Sequence, residues 1–231
     1  MSYAQVKFRK NGQWVDGKVY YRKNGQWVKG KVNFRKNGQW VGEEPPKPAY
    51  VPSQHTKVWD ATWTAGYWSW GAAKGWSAKV SPNKPIQGCY VTDPARAWDQ
   101  YDRGDEGGMI GFDDGDIRRT LSGARIDRIE VYLYAEHWYY YNGGTAIIGT
   151  HNAGGWQSHF SEANHGVVRR AMGRQQGMWI QLPNWVGDNF KNNLLKGITV
   201  KAGTTNHSYY GYFSGTNDGD RKPKLRITYT K

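Results

Sequence analysis

Residues 123–151 read GARIDRIEVYLYAEHWYYYNGGTAIIGTH, and this stretch decides the fold. Ile129, Val131 and Leu133 alternate with polar and aromatic neighbours, which is the period-two pattern of a half-buried strand. The Asn-Gly-Gly sequence at 142–144 tolerates positive φ, so the chain can reverse there. A shorter β-branched run follows and is typical of a more fully buried strand. We therefore predict a hairpin in the middle of a sheet, and it contains no pattern typical of a catalytic centre.

The composition favours the same class of fold. Of the 231 residues 15% are aromatic, and 30 are glycines. Aromatic rings cover pleated faces and glycines make turns, so this balance suits an all-β protein better than a helical bundle. About eight short alternating runs after residue 57 predict a β-sandwich of jelly-roll type. Three short helices are expected among them, at 117–121, 166–171 and 188–195.

The N-terminal segment, residues 1–42, is a repeat of 13-residue units. KFRKNGQWV at 7–15 recurs as YYRKNGQWV at 20–28 and as NFRKNGQWV at 33–41. Asn-Gly between short aromatic and β-branched runs is the strongest local signal for a hairpin with a type I′ turn. The segment is therefore predicted to be a chain of small β-hairpins.

Such small hairpins need cover, because an isolated two-stranded ribbon is marginally stable in water. Trp14, Trp27 and Trp40 occupy the same position in the three repeats. Stacking of repeats, within one chain or between chains, would cover these rings and the open sheet edges. We expect a homo-oligomer; a homotrimer is a natural solution, although the sequence does not fix the number of chains.

The positive charge of the chain is concentrated in the same segment. The formal net charge is +13, and residues 1–42 carry +9 of it, from ten Lys or Arg and one Asp. These cations could bind single-stranded nucleic acid or an anionic polymer. Alternatively, they keep a repetitive β surface soluble and discourage edge pairing, which is the interpretation we favour.

Other sequence features set the domain boundaries and the compartment. Four prolines in residues 43–56 predict a semi-rigid linker before a domain at 57–231. Cys89 is the only cysteine, which excludes an internal disulfide framework and a Cys-based zinc site, and its strand context predicts burial. The chain has no apolar run of transmembrane length and opens without a signal-peptide pattern, so we expect synthesis in a cytoplasm and no membrane insertion.

Three groups of polar residues are candidates for metal or catalytic chemistry. Asp113, Asp114 and Asp116 lack the spacing of a calcium loop, and capping of a helix N-terminus is the favoured interpretation. One histidine per chain on a trimer axis could bind a metal, but no His pair has i, i+4 spacing, and hydrogen bonding is the default. No cofactor is expected. Glycoside hydrolysis needs two carboxylates that face each other, and no such pair stands out in the sequence. The candidate carboxylates are Asp99, Asp102, Glu136 and Glu162.

Aromatic residues in loops and at strand ends are the better candidates for a binding site. Sugar rings bind by stacking on flat aromatic faces, with amides and carboxylates taking the hydroxyls. The alternative, that these rings pack under loops or at a subunit interface, is equally open at this point. The candidates are Trp98, Tyr101, His137, Trp138, Tyr139, Tyr140, Tyr141 and Trp156.

Several motifs of the chain resemble those of a known family. They are WDATW at 59–63, GFD at 111–113, LSGARI at 121–126, HWY at 137–139, GGTA at 143–146, IGTHN at 148–152 and PKLRITY at 223–229. In combination they resemble the C-terminal domain of minor tail proteins of long-tailed bacteriophages, especially those of Gram-positive hosts. The Arg-Lys-Asn-Gly-Gln-Trp-Val repeat is also similar to segments of such phage proteins. The resemblance implies a virion component near the tail tip that recognises the host, and it supplies no ligand-contacting residues.

Together these observations predict a virion protein without enzymatic activity. Its sandwich is expected to bind host-surface carbohydrate during adsorption, and its repeats to attach to other virion proteins or to oligomerise. The first alternative is a capsid decoration or head-fibre protein with purely structural contacts. Nucleic-acid binding through the +9 segment and polysaccharide depolymerisation are further alternatives, both less favoured.

Overall fold

The computed structural model of the chain describes residues 6–42, 50–76, 78–91 and 102–231. The chain divides into two compact units, Met1–Val51 and Pro52–Lys231. No helix among the described residues is long and apolar enough to cross a membrane.

The first unit contains three separate two-stranded hairpins. Their strands are β1 (Lys7–Lys10), β2 (Gln13–Asp16), β3 (Tyr20–Lys23), β4 (Gln26–Lys29), β5 (Asn33–Lys36) and β6 (Gln39–Gly42). Asn11 and Gly12 have φ values of 52° and 83°, as a type I′ turn requires, and the other two Asn-Gly turns repeat them. The predicted hairpin chain is confirmed. The Trp14 and Trp27 side chains are 67% and 71% exposed, so neither is covered within its own hairpin.

The second unit is built from antiparallel strands with two short helices. The strands are β7 (Gln54–Asp60), β8 (Trp63–Tyr67), β9 (Ile86–Gln87), β10 (Gly107–Gly111), β11 (Arg125–Trp138), β12 (Gly144–His151), β13 (Asn164–Met172), β14 (Gln176–Leu182), β15 (Gly197–Lys201), β16 (Gly211–Phe213) and β17 (Lys224–Thr230). The helices are α1 (Asp114–Leu121) and α2 (Asn184–Lys191), with 3₁₀ turns at His207–Tyr209 and Gly219–Arg221. The predicted all-β fold class is confirmed.

Two sheets enclose the main core of this unit. One has the strand order β13-β12-β15-β10-β8; the other has the order β7-β17-β11-β16-β9, with β14 on the free side of β11. Alternate residues of each strand point into the core, as Ile148 and Val200 do from the first sheet and Val131 and Ile227 from the second. The resulting architecture is a β-sandwich.

The predicted hairpin over 123–151 is wrong in one respect. β11 and β12 lie in different sheets, and the glycine turn between them carries the chain from one sheet to the other. Both edges of β11 are already hydrogen-bonded, to β14 on one side and to β16 and β17 on the other, so β12 has no place beside it. Gly143 has a φ of 110°, in agreement with the predicted turn. The connection is therefore an arch between sheets.

The helix predictions had mixed outcomes. α1 is confirmed and begins earlier than predicted, and the Asp113 carboxylate accepts the backbone N–H of Asp116 as its N-cap. α2 begins after Pro183, four residues before the predicted start, so Asp188 lies inside the helix instead of capping it. Pro183 is extended and directly precedes the first turn, so the helix begins at Asn184. The predicted start was later because Asp188 is a typical N-cap residue.

Two further expectations are corrected by strand pairing. The helix predicted at 166–171 is part of β13, because its backbone pairs with β12 from Gly144 to Thr150. Residues 54–56, expected in the linker, belong to β7, where Thr56 pairs with Thr228. The sandwich therefore begins before residue 57.

A second buried layer covers the outer face of the β8, β10 and β15 part of the first sheet. Ala65, Tyr67 and Met109 point away from the main core and form a small cluster of their own. Phe160 and Ala153, from the loop between β12 and β13, pack against it. Loops thus close one face of the sandwich, and they determine which aromatic rings remain in solvent.

Candidate functional site

Two loops meet over this second layer and are held together by their backbones. We call residues 68–76 and 153–160 the tryptophan loops. The Ala73 N–H donates to the Ser158 carbonyl at 2.8 Å, and the Phe160 N–H donates to the Gly71 carbonyl at 2.7 Å. From below, the Tyr67 hydroxyl donates to the Gln157 carbonyl at 2.9 Å. These bonds fix the two loops as one surface.

The tryptophan loops hold three rings in solvent. Trp70, Trp76 and Trp156 are 67%, 86% and 58% exposed. Trp70 stacks on Trp68 with 5.2 Å between ring centroids and 10° between planes, so its orientation is fixed. Flat rings exposed on anchored loops are suited to contact the apolar face of a sugar or of a protein partner.

Buried charges anchor the first tryptophan loop to the sandwich. The Lys74 ammonium forms an ion pair with the Glu106 carboxylate, and both side chains are almost completely buried. Lys74 also lies 4.0 Å from the centre of the Trp68 ring. Burial raises the pKa of Glu106 to about 7, against the opposing effect of Lys74. The Asp102 carboxylate accepts hydrogen bonds from the Ser69 backbone and hydroxyl.

Of the three exposed rings, Trp156 was among the residues predicted from the sequence, whereas Trp70 and Trp76 were not. The signal for these two rings was present in the sequence, because the residues between the aromatics of 66–76 are glycine, alanine, one serine and one lysine. A loop of small residues has no side chains large enough to cover several tryptophans. Trp98 and Tyr101 lie outside the described residues.

Among the predicted aromatic residues, Trp138 is a correction. Its side chain is 1% exposed, so it cannot stack on a ligand. It fills the arch between β11 and β12, edge-on to Phe213 with centroids 5.6 Å apart. Gly144 and Gly211 leave room for the ring, because a Cβ at either position would overlap it. Trp138 belongs to the core.

Its neighbours in the sequence are more exposed, but several of their faces are already used. His137 stacks on Tyr212 at 5.2 Å, and burial, followed by the charge of Arg174, lowers the pKa of its imidazole. Tyr139 stacks on His207 with centroids 4.0 Å apart. Tyr139 is still 37% exposed, and Tyr140 and Tyr141 are more exposed, at 50% and 84%.

The candidate carboxylates do not form a facing pair where the structure describes them. Asp102 binds Ser69, as given above, and Asp99 lies outside the described residues. Glu136 accepts from the Lys84 ammonium and from the Ser214 hydroxyl. Glu162 accepts from the Thr199 hydroxyl and contacts His165. In the described part of the chain no three His, Cys, Asp or Glu side chains are grouped to hold a metal ion.

Cys89 and His151 are buried structural groups. The Cys89 thiol is buried, as predicted, and burial raises its pKa to about 11. His151 lies under the second tryptophan loop, where both ring nitrogens have backbone partners. Neither group is available to a ligand.

No protein-family model matches the chain, and no curated protein does.

Proposed function

We propose that this chain is a bacteriophage virion protein whose β-sandwich binds host-surface carbohydrate through the tryptophan loops. The observation that carries the proposal is the group of exposed rings, Trp70, Trp76 and Trp156, on two loops bonded into one surface. An exposed tryptophan leaves a large apolar face in water until a partner covers it, and a sugar ring can cover that face by stacking on it. The virion assignment rests on the motifs that resemble phage minor tail proteins.

The binding half of the proposal is tested with full-length protein on an array of neutral oligosaccharides, followed by calorimetry on the best ligand. Trp70→Ala and Trp156→Ala should each weaken binding by about tenfold, the equivalent of one lost stacking contact. Trp185→Ala removes an exposed tryptophan from α2 and is the matched control. Equal affinity in all four proteins, with unchanged thermal stability, would contradict a site at the tryptophan loops.

The virion half of the proposal is tested by immunogold electron microscopy with antibody against residues 57–231. Label at the tail tip agrees with an adsorption role. Label over the capsid would replace that role with decoration. The absence of label from intact particles would contradict the virion assignment itself.

A structural role in the virion is the second candidate, and the hairpins favour it. Trp14 and Trp27 are uncovered, and each lies on a ribbon too small to have a core. Burial against another chain, in a homo-oligomer or on another virion protein, would remove these rings from water. Analytical ultracentrifugation of Trp14→Ser with Trp27→Ser tests this role, because it should lower the association state.

A further inference from the structure

A cationic cleft lies between the open edges of the two sheets. Among the described strands, β13 pairs only with β12 and β14 pairs only with β11, so each is an edge strand. The chain passes from one to the other through residues 173–175, which places the two edges side by side. Between them is a cavity of about 320 Å³, which we call the arginine cleft. Its lining includes Arg128, Glu130, Arg169, Arg170, Trp179 and Gln181.

The charge of the arginine cleft is strongly one-sided. Glu130 is its carboxylate, and that group already accepts hydrogen bonds from Arg128 at 2.7 Å and from Arg226 at 2.8 Å. Arg169 and Arg170 have no ion-pair partner in the described part of the chain, and both are exposed. The cleft therefore offers guanidinium groups whose charge is not balanced from within the protein.

The aromatic group in the cleft is arranged to support a cation. The Arg226 guanidinium lies 4.1 Å from the centre of the Trp179 ring, so one face of that ring is covered. Single-stranded nucleic acids need free aromatic faces on which bases stack. The cleft instead presents N–H donors in planar forks, which fit the two oxygens of a carboxylate or phosphate.

We propose that the arginine cleft binds an anionic glycan, a sugar chain that carries carboxylate or phosphate groups. In this proposal the lining arginines of β13, Arg169 and Arg170, supply guanidinium groups to the anion, and the lining residue Gln181 supplies an amide to neighbouring hydroxyls. This site is separate from the tryptophan loops and does not depend on them. The competing explanation is that the arginines only protect two sheet edges from pairing with other chains.

The experiment measures binding of trigalacturonate to the full-length chain by calorimetry, with maltotriose as the uncharged reference. Arg169→Gln with Arg170→Gln should raise the dissociation constant for trigalacturonate by about tenfold or more and reduce its dependence on salt. Arg118→Gln with Arg119→Gln removes the same charge from α1 and should change it less than about twofold. The N-terminal cations are present in every protein, so a difference between the variants does not come from them.

Further probes distinguish the source of the anion and the competing explanations. A glycerol phosphate oligomer that binds more tightly than trigalacturonate, with the same arginine dependence, would identify phosphate as the ligand group. Trp70→Ala should leave trigalacturonate binding unchanged, which separates this site from the tryptophan loops. The proposal is overturned if both arginine pairs weaken the binding of trigalacturonate equally, or if neither anionic probe binds. It is overturned as well if a thymidine oligonucleotide binds more tightly than both probes and depends on the same arginines. It is also overturned if the Arg169 and Arg170 variant associates or precipitates while its affinity for trigalacturonate is unchanged.

Discussion

Lowering the pH from 7 to 4 should destabilise the sandwich through His151. The ring is completely buried, and the Ala153 N–H donates to its Nδ1 at 3.1 Å. Nδ1 must therefore be unprotonated, and Nε2 carries the hydrogen that is donated to the Ile110 carbonyl at 3.0 Å. A second proton on the ring would face an N–H donor and would add a buried charge. The folded state thus holds His151 neutral.

The size of the effect follows from the difference in pKa between the folded and unfolded states. Burial lowers the pKa of His151 from 6.5 to about 4, with the hydrogen bond to Ile110 acting in the opposite direction. The unfolded chain therefore binds a proton near pH 6.5, whereas the folded chain resists it until about pH 4. The contribution of the neutral His151 ring to the free energy of unfolding is fully present above pH 6.5. It is lost as the pH falls from 6.5 to about 4, by about 3 kcal/mol in total.

Urea denaturation at several pH values between 4 and 7 measures this loss. His151→Gln removes the titration, so the difference in unfolding free energy between wild type and variant should shrink as the pH falls. His159→Gln, at an exposed ring, should follow the wild-type curve in parallel. A constant difference between wild type and His151→Gln, or an NMR titration that places the pKa of His151 near 6.5, would refute the reasoning.

Substitutions at three places test other parts of the packing by thermal and urea denaturation. Gly211→Ala should cost about 1–3 kcal/mol, because the new methyl group overlaps the Trp138 ring in the arch; an unchanged melting temperature would contradict the packing described. Lys74→Met should cost about 3–5 kcal/mol by leaving the Glu106 carboxylate buried without its partner, and adding Glu106→Leu should recover much of that loss. Asp113→Ala removes the cap of α1 and should cost about 1 kcal/mol, whereas no loss would argue against the capping bond.

The strands that could be predicted are those whose pattern is local and complete. β15 spans Gly197–Lys201, the range that alternation and turn residues indicate. In β17, Leu225 and Ile227 are fully buried while Arg226 and Thr228 are partly exposed, which the period-two pattern requires. In such strands each residue carries information about its own side of the sheet, so a single sequence is sufficient.

The failures at β13 and in the sheet assignment of β11 and β12 have a common cause, which is pairing with other segments of the chain. β13 has exposed arginines and no clean alternation, and only its hydrogen bonds to β12 make it a strand. Alternation in β11 and β12 correctly indicates two half-buried strands, but it does not say which sheet each joins. That choice depends on β14, β16 and β17, which follow in the sequence and occupy both edges of β11.

The candidate site shows the same limit at the level of single rings. Trp138 and Tyr139 are neighbours in one aromatic run, yet Trp138 is core and Tyr139 is partly exposed. Composition identifies the run as aromatic, but a shift in strand register between Ala135 and His137 contributes to which ring faces inward. Sequence patterns therefore locate aromatic segments more reliably than they identify the ring that meets a ligand.

The two sheets treat their outer aromatic rings differently, and this contrast supports assigning carbohydrate binding to loops. On the second sheet, Trp179 carries Arg226 over its face, and Tyr134 carries Arg221 at 4.6 Å. These rings are occupied by cations and contribute to a charged surface.

On the first sheet, the loops bury the strand aromatics and present Trp76 and Trp156 in solvent, with no ring or cation contact in the described residues. An uncovered tryptophan on a fixed loop keeps its apolar face in water until a partner binds to it. A ring that lies under a guanidinium group is already covered within the chain. The proposed stacking site and the proposed anion site therefore lie at different places on the sandwich, the first on loops and the second between open sheet edges.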